Sequence, residues 1–199
     1  VPPERKPMPT TLLGLTLLAL CSLQTQLHAA TLPETAKIDG LTIQLPPDSG
    51  WNRIKGSARQ IVFERTVRDQ PVTLSFSTTA IEPQPENQAF FRFAEARQAQ
   101  TFSKLEKVSV HYYYGTHKQG SPCVRYDGIF KDKNTQPLPF VSVRGLLCRH
   151  PVSSGKMIQM ELTQHSSTRE AAYKTDLSET ADQAFDAMQF TDGTPDVDR

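Results

Sequence analysis

The chain has 199 residues, with 22 Lys+Arg balanced by 21 Asp+Glu, a length that fits one domain able to bury its own core. A hydrophobic fraction of 37% and 22% charged residues exclude a disordered chain, and the even charge balance excludes a basic nucleic-acid binder. Gly 10 and Pro 15 exclude a collagen-like repeat.

Residues 1–29 read as a secretory signal peptide. Arg5 and Lys6 form a short basic region, and Leu12 to Leu20 (LLGLTLLAL) is an uncharged apolar run. That run is half the roughly 20 residues that a spanning helix needs. Cleavage after Ala29 leaves a mature chain near net neutrality, with no further apolar run of spanning length. The expected location is therefore periplasmic or secreted. Leu18-Ala19-Leu20-Cys21 offers the alternative of a lipoprotein anchored at Cys21.

Residues 30–190 read as one α+β domain. Ile38 to Leu45 has the pattern of a strand, ended by Pro46-Pro47-Asp48-Ser49-Gly50 and followed by Trp51. Ile61 and Phe63 alternate with polar neighbours, as do Val72, Leu74 and Phe76, so 61–76 is a hairpin with Ile61 opposite Phe76. From Asn87 to about Ser103 the period becomes helical, with Ala89, Phe90, Phe93, Ala94 and Ala96 on one side.

Four strand-like runs follow, at 108–117, 122–131, 140–149 and 156–164. Pairing residues whose numbers sum to 240, 271 and 305 gives one almost wholly apolar face. Its rows include Tyr114–Tyr126–Gly145–Met160 and Thr116–Val124–Leu147–Ile158. In the two rows that contain a glycine, a tyrosine lies beside it to cover it. The other face carries His111, Tyr113, Arg125, Asp127, Arg144 and Glu161, with Arg144 between two carboxylates. Ser167-Thr168-Arg169-Glu170 has the form of a capping box, and Ser178 that of a second cap. Ala181, Ala184, Phe185 and Met188 form a helical stripe, and residues 191–199 read as a flexible tail. The fold class is thus an antiparallel β-sheet of about seven strands with helices packed on one face.

The 271 pairing sets Cys123 opposite Cys148 without having used the cysteines, and export favours oxidation, so a disulfide is expected. The same two cysteines with His117 and His150 could instead hold a zinc ion. Tyr113, Asp127, Arg144, Glu161, Arg125 and His111 are the candidate binding face, since an Arg fork matches carboxylates and a Tyr supplies amphipathic area. Ser153-Ser154-Gly155-Lys156 lacks the companion motifs of S-x-x-K acyl enzymes, and no nucleophile elbow, zincin motif or phosphate loop occurs. No cofactor is implied.

The order of strand, Pro47…Gly50-Trp51, hairpin, helix, antiparallel meander and terminal helix resembles the PsbP-like fold family. The resemblance implies an α+β fold and accessory, binding or assembly roles without a shared catalytic site, with Pro47, Gly50 and Trp51 structural. The expectation is an exported, non-catalytic accessory or binding protein with an envelope protein partner and no nucleic acid. The alternatives are a hydrolase-like enzyme with an unidentified acid/base pair and a metal-binding protein.

Overall fold

Period-two alternation of apolar and polar residues runs through most of the chain between 35 and 166, and the computed structural model turns it into sheet. It describes residues 35–46, 49–67 and 70–192. The signal-peptide segment, Cys21, Pro47, the hairpin-turn residues Arg68 and Asp69, and 193–199 of the expected tail lie outside the described residues.

Strands β3 (Asn52–Ser57), β4 (Gln60–Val67), β5 (Gln70–Ala80), β6 (Glu106–Thr116), β7 (Pro122–Lys131), β8 (Phe140–His150) and β9 (Ser153–Ser166) form a seven-stranded sheet. Its order is β3-β4-β5-β9-β8-β7-β6, and every pairing is antiparallel. A second sheet has the order β1-β2-β10, from Thr35–Ile38, Leu41–Gln44 and Met188–Phe190. Helix α1 is Asn87–Thr101, α2 is Arg169–Lys174 and α3 is Ser178–Asp186. The α+β class, with about seven antiparallel strands, is as expected.

Both faces of the large sheet are apolar over much of their area, and helices cover both. Phe90 and Ala94 of α1 pack with Val124, Tyr126, Phe130, Val141, Val143, Leu147 and Met157. On the other face Ala181, Ala184 and Phe185 of α3, with Ile38, Leu41, Ile43 and Met188 of the small sheet, pack on Phe63, Leu74, Phe76, Cys148, Ile158, Met160 and Leu162. The expectation of helices on one face is corrected accordingly.

The registers show where alternation decides and where it does not. The 61–76 hairpin pairs Ile61 with Phe76 and Phe63 with Leu74, as read from the pattern. The β7–β8 pairing sets Cys123 opposite Cys148 and Asp127 opposite Arg144, also as read. In β6–β7 the partners are Tyr112↔Tyr126 and Val110↔Gly128, two residues from the expected alignment, so each side chain keeps its face. Pro122 opposite Thr116 closes that hairpin early, and a one-residue shift between Lys107 and Ser109 moves the start of β6 one residue further from the expected alignment. In β8–β9 the partners are Arg144↔Leu162 and Gly145↔Glu161, one residue from expectation, and a one-residue slip exchanges faces. Ile158, Met160 and Leu162 therefore belong to the α3 side.

Smaller features also move. Ile38–Leu45 is a hairpin rather than one strand, turning at Asp39-Gly40, where Gly40 takes φ 80°. Thr168, not Ser167, caps α2, its hydroxyl oxygen accepting from the Ala171 N–H at 3.1 Å. Asp176 Oδ1 accepts from the Ser178 N–H at 2.9 Å and takes the capping role at α3. Met188 lies in β10, opposite Ile43, instead of ending a helix. Ala96 of α1 faces solvent.

Candidate functional site

From Ser109 onward, odd-numbered residues of β6, with odd-numbered residues of β7 and even-numbered residues of β8, point to the side of α3, because the 271 pairing and the adjoining β6 register preserve alternation there. Toward β9 this face is core. Toward β6 it is polar, and α2 and α3 stand over it without filling it. Three adjoining cavities result, of about 200, 330 and 250 Å³. Tyr113, Arg125 and Phe185 line the first two, and Asp127 and Arg144 line the second and third. His111 and Tyr173 complete the third. Together they form one groove.

Its charges are arranged in pairs. Arg125 Nη1 lies 3.3 Å from Asp182 Oδ1, and its guanidinium sits 4.3 Å over the Phe185 ring. Arg144 Nε lies 3.4 Å from Asp127 Oδ1. The second carboxylate near Arg144 is Asp176, whose carboxyl is held below its ordinary value by the Ser178 hydroxyl, then by the Ser178 N–H, with Arg144 adding to them. Tyr173 is held below the ordinary phenol value by the Arg169 guanidinium and then by Ser109, which links α2 to β6. The Arg125–Asp182 pair is exposed and the Arg144–Asp127 pair half-buried, and both are reached by solvent, so they orient side chains more than they stabilise the fold. Tyr113 is 53% exposed and makes no ring contact among the described residues, whereas Tyr114 on the other side meets Phe91 in a tilted contact with ring centroids 5.2 Å apart.

Five of the six residues expected on the binding face, His111, Tyr113, Arg125, Asp127 and Arg144, line this groove. Glu161 does not. The β9 register turns it to the α1 side, where its Oε1 accepts from the Tyr126 hydroxyl at 2.7 Å. Burial pushes the Glu161 carboxyl up, opposed by the bonds from Tyr126 and Gln159. Asp127 and Glu161 therefore open on opposite faces and cannot work as an acid/base pair. Asp182, Asp176 and Tyr173 were not among the expected residues. Asp182 lies three residues before Phe185 on a short helix, a spacing that puts it at the rim of the apolar stripe.

Cys123 and Cys148 are joined in a disulfide. That withdraws both thiolates from the expected Cys₂His₂ set and corrects the metal reading. Each of the two histidines has one ring nitrogen engaged, while among the described residues His117 Nε2 and His150 Nδ1 are buried without a hydrogen-bond partner. His117 Nδ1 accepts from the Gln119 N–H at 3.3 Å, and His150 Nε2 lies 3.1 Å from the Gly40 carbonyl. Both rings meet Phe190 edge-on, at 4.8 and 5.8 Å. Among the described residues no helix is long and apolar enough to cross a membrane.

No protein-family model and no curated protein sequence matches the chain. Solved structures do. The crystal structure of LpqN from Mycobacterium tuberculosis, involved in cell envelope biogenesis, is similar with a TM-score of 0.52 and 14% identity, over 78% of this chain and 86% of that one. The Ran-binding protein Mog1p of Saccharomyces cerevisiae gives a TM-score of 0.49 and 11% identity, over 80% of this chain and 97% of that one. At these identities the likeness is one of fold.

Proposed function

We propose that this chain is an exported, non-catalytic accessory protein of the cell envelope that binds another protein through the groove over β6, β7 and β8. The observation that carries the reading is the groove's lining: an exposed Tyr113 on β6 beside Arg125 of β7, with Arg144 on the next strand, each arginine held by a carboxylate, and apolar Leu146 and Phe185 completing the wall. Exposed aromatic and arginine side chains beside a small apolar wall are the composition of protein-binding anchors. The disulfide favours an oxidising compartment, and the fold shared with LpqN, a protein involved in cell envelope biogenesis, supports the envelope as the place of action. The apolar run Leu12 to Leu20 supports export. Kinship with the PsbP-like family belongs to the same proposal.

The test is a photo-crosslinking residue in place of Tyr113, in the intact chain in its native envelope. A discrete protein adduct is expected, weakened at least several-fold by Arg125→Glu with Arg144→Glu. The same probe at Ile54, which is equally exposed on β3, serves as control. Adducts no stronger at Tyr113 than at Ile54 contradict the reading.

A further inference from the structure

The seven-stranded sheet has two edges, and they are unlike. Strand β3 is six residues long, its pairing shifts between Arg53 and Lys55, and both of those residues are cationic. Short length, a bulge and charge are the devices that keep an edge from pairing further. Strand β6 has none of them over most of its length. From Ser109 to Thr116 it pairs with β7 without interruption, and that stretch holds no proline, Lys, Arg, Asp or Glu. Tyr113 and Tyr114 are 53% and 56% exposed on it. Every second residue of such a strand turns its N–H and C=O outward.

The groove reaches this edge. Five consecutive residues, Tyr113 to His117, line the 200 Å³ cavity, although alternation sends Tyr114 to the other side, where its hydroxyl donates to Glu95. The cavity wall is therefore partly the main chain of β6. Gly115 widens it, since a Cβ placed there has no neighbour within 4 Å. The other end of the strand is cationic. Glu106 is engaged by Lys133 at 3.3 Å, while Lys104 and Lys107 have no ion pair among the described residues.

The geometry points to an eighth strand: β6 takes up an extended segment of a partner protein, antiparallel, with an apolar side chain seated opposite Gly115 and a carboxylate some seven or eight residues later beside Lys107. Main-chain hydrogen bonds supply affinity in such an arrangement, and pockets for alternate side chains supply selectivity. An aromatic side chain opposite a strand glycine also covers backbone that is otherwise exposed. The inference rests on the binding role proposed for the groove and names the form of the partner.

The experiment uses the full chain and three fluorescent peptides read by anisotropy. The parent is acetyl-Thr-Phe-Thr-Val-Thr-Val-Thr-Val-Glu-Glu-amide. The other two carry backbone N-methyl groups on complementary alternate residues, which leave side chains intact and block one set of N–H groups each. The parent and one methylated peptide are expected to bind, with the other weakened at least tenfold. Gly115→Phe, which fills open space, and Lys107→Glu are expected to weaken the parent as well. Equal binding of all three, equal loss in both methylated peptides, or no binding by the parent at about 1 mM overturns the added strand. A Tyr113 crosslink that persists beside any of those results leaves the groove reading standing through side chains alone. Selective peptide binding without a Tyr113 adduct removes the groove reading and keeps the strand.

Discussion

Glu161 is partly buried and accepts a hydrogen bond from the Tyr126 hydroxyl as its main compensation. Desolvation disfavours its charged form, so the folded chain binds its proton more readily than the unfolded chain does. The carboxyl therefore favours folding below the ordinary glutamate value of 4.5, and that contribution is lost as pH rises through the raised folded value. Glu161→Gln keeps an acceptor for the Tyr126 hydroxyl and removes the titration. Urea unfolding is expected to show the variant gaining on the wild type as pH rises above 4.5; parallel pH profiles would contradict this. The same residue marks the limit of what could be read from the chain alone. Asp127 facing Arg144 followed from alternation on β7 and β8, whose facing residues differ sharply in polarity. Glu161 did not, because β9 alternates apolar Ile158, Met160 and Leu162 with Met157, Gln159 and Glu161, and a sheet with a core on each side can use either set.

Strands β7 and β8 show the same logic in their packing. A Cβ on Gly145 would stand 2.1 Å from Tyr126 Cζ, and that ring is fully buried with its hydroxyl tied to Glu161. The ring has nowhere to go. Gly145→Ala is expected to cost about 1–3 kcal/mol through overpacking, whereas Gly115→Ala, with open space around it, stays within about 0.5 kcal/mol. Chemical denaturation of both variants checks the contrast, and similar midpoints would show that Tyr126 does not occupy that place. The glycine beside a tyrosine was visible in the pattern because β7 and β8 have one apolar face each in this region. The break of Ile38–Leu45 at Gly40 was hidden, since apolar residues on both sides of the turn read as one run. Helix caps were hidden for a related reason: Ser167, Thr168, Asp176 and Ser178 offer competing hydroxyl and carboxylate acceptors one or two residues apart.

At the scale of the molecule, the disulfide ties neighbouring strands β7 and β8 inside the α3-side core across a sequence separation of 25. Closing a loop of that length restricts the unfolded chain by about 3 kcal/mol, which for a domain of this size lowers melting by roughly 6–12 °C when the bridge is reduced. Melts with and without reductant, with thiol titration in denaturant, test it; an unchanged midpoint would mean that the bridge does not restrain the unfolded state. The class and the central hairpins were legible because they are set by local alternation. The cover on the second face was not, because it comes from both extremities of the domain. Strand β2 is finished by β10, which pairs Met188 with Ile43 and Phe190 with Leu41, and the Thr191 N–H donates to the Gly40 carbonyl at 3.0 Å. A chain delivered from its amino end first has made most of the large sheet before the strand that closes the small one arrives. Until then Leu41, Ile43 and the α3-side core lack the cover that α3 and β10 supply, so closure of that face waits for the last elements of the domain.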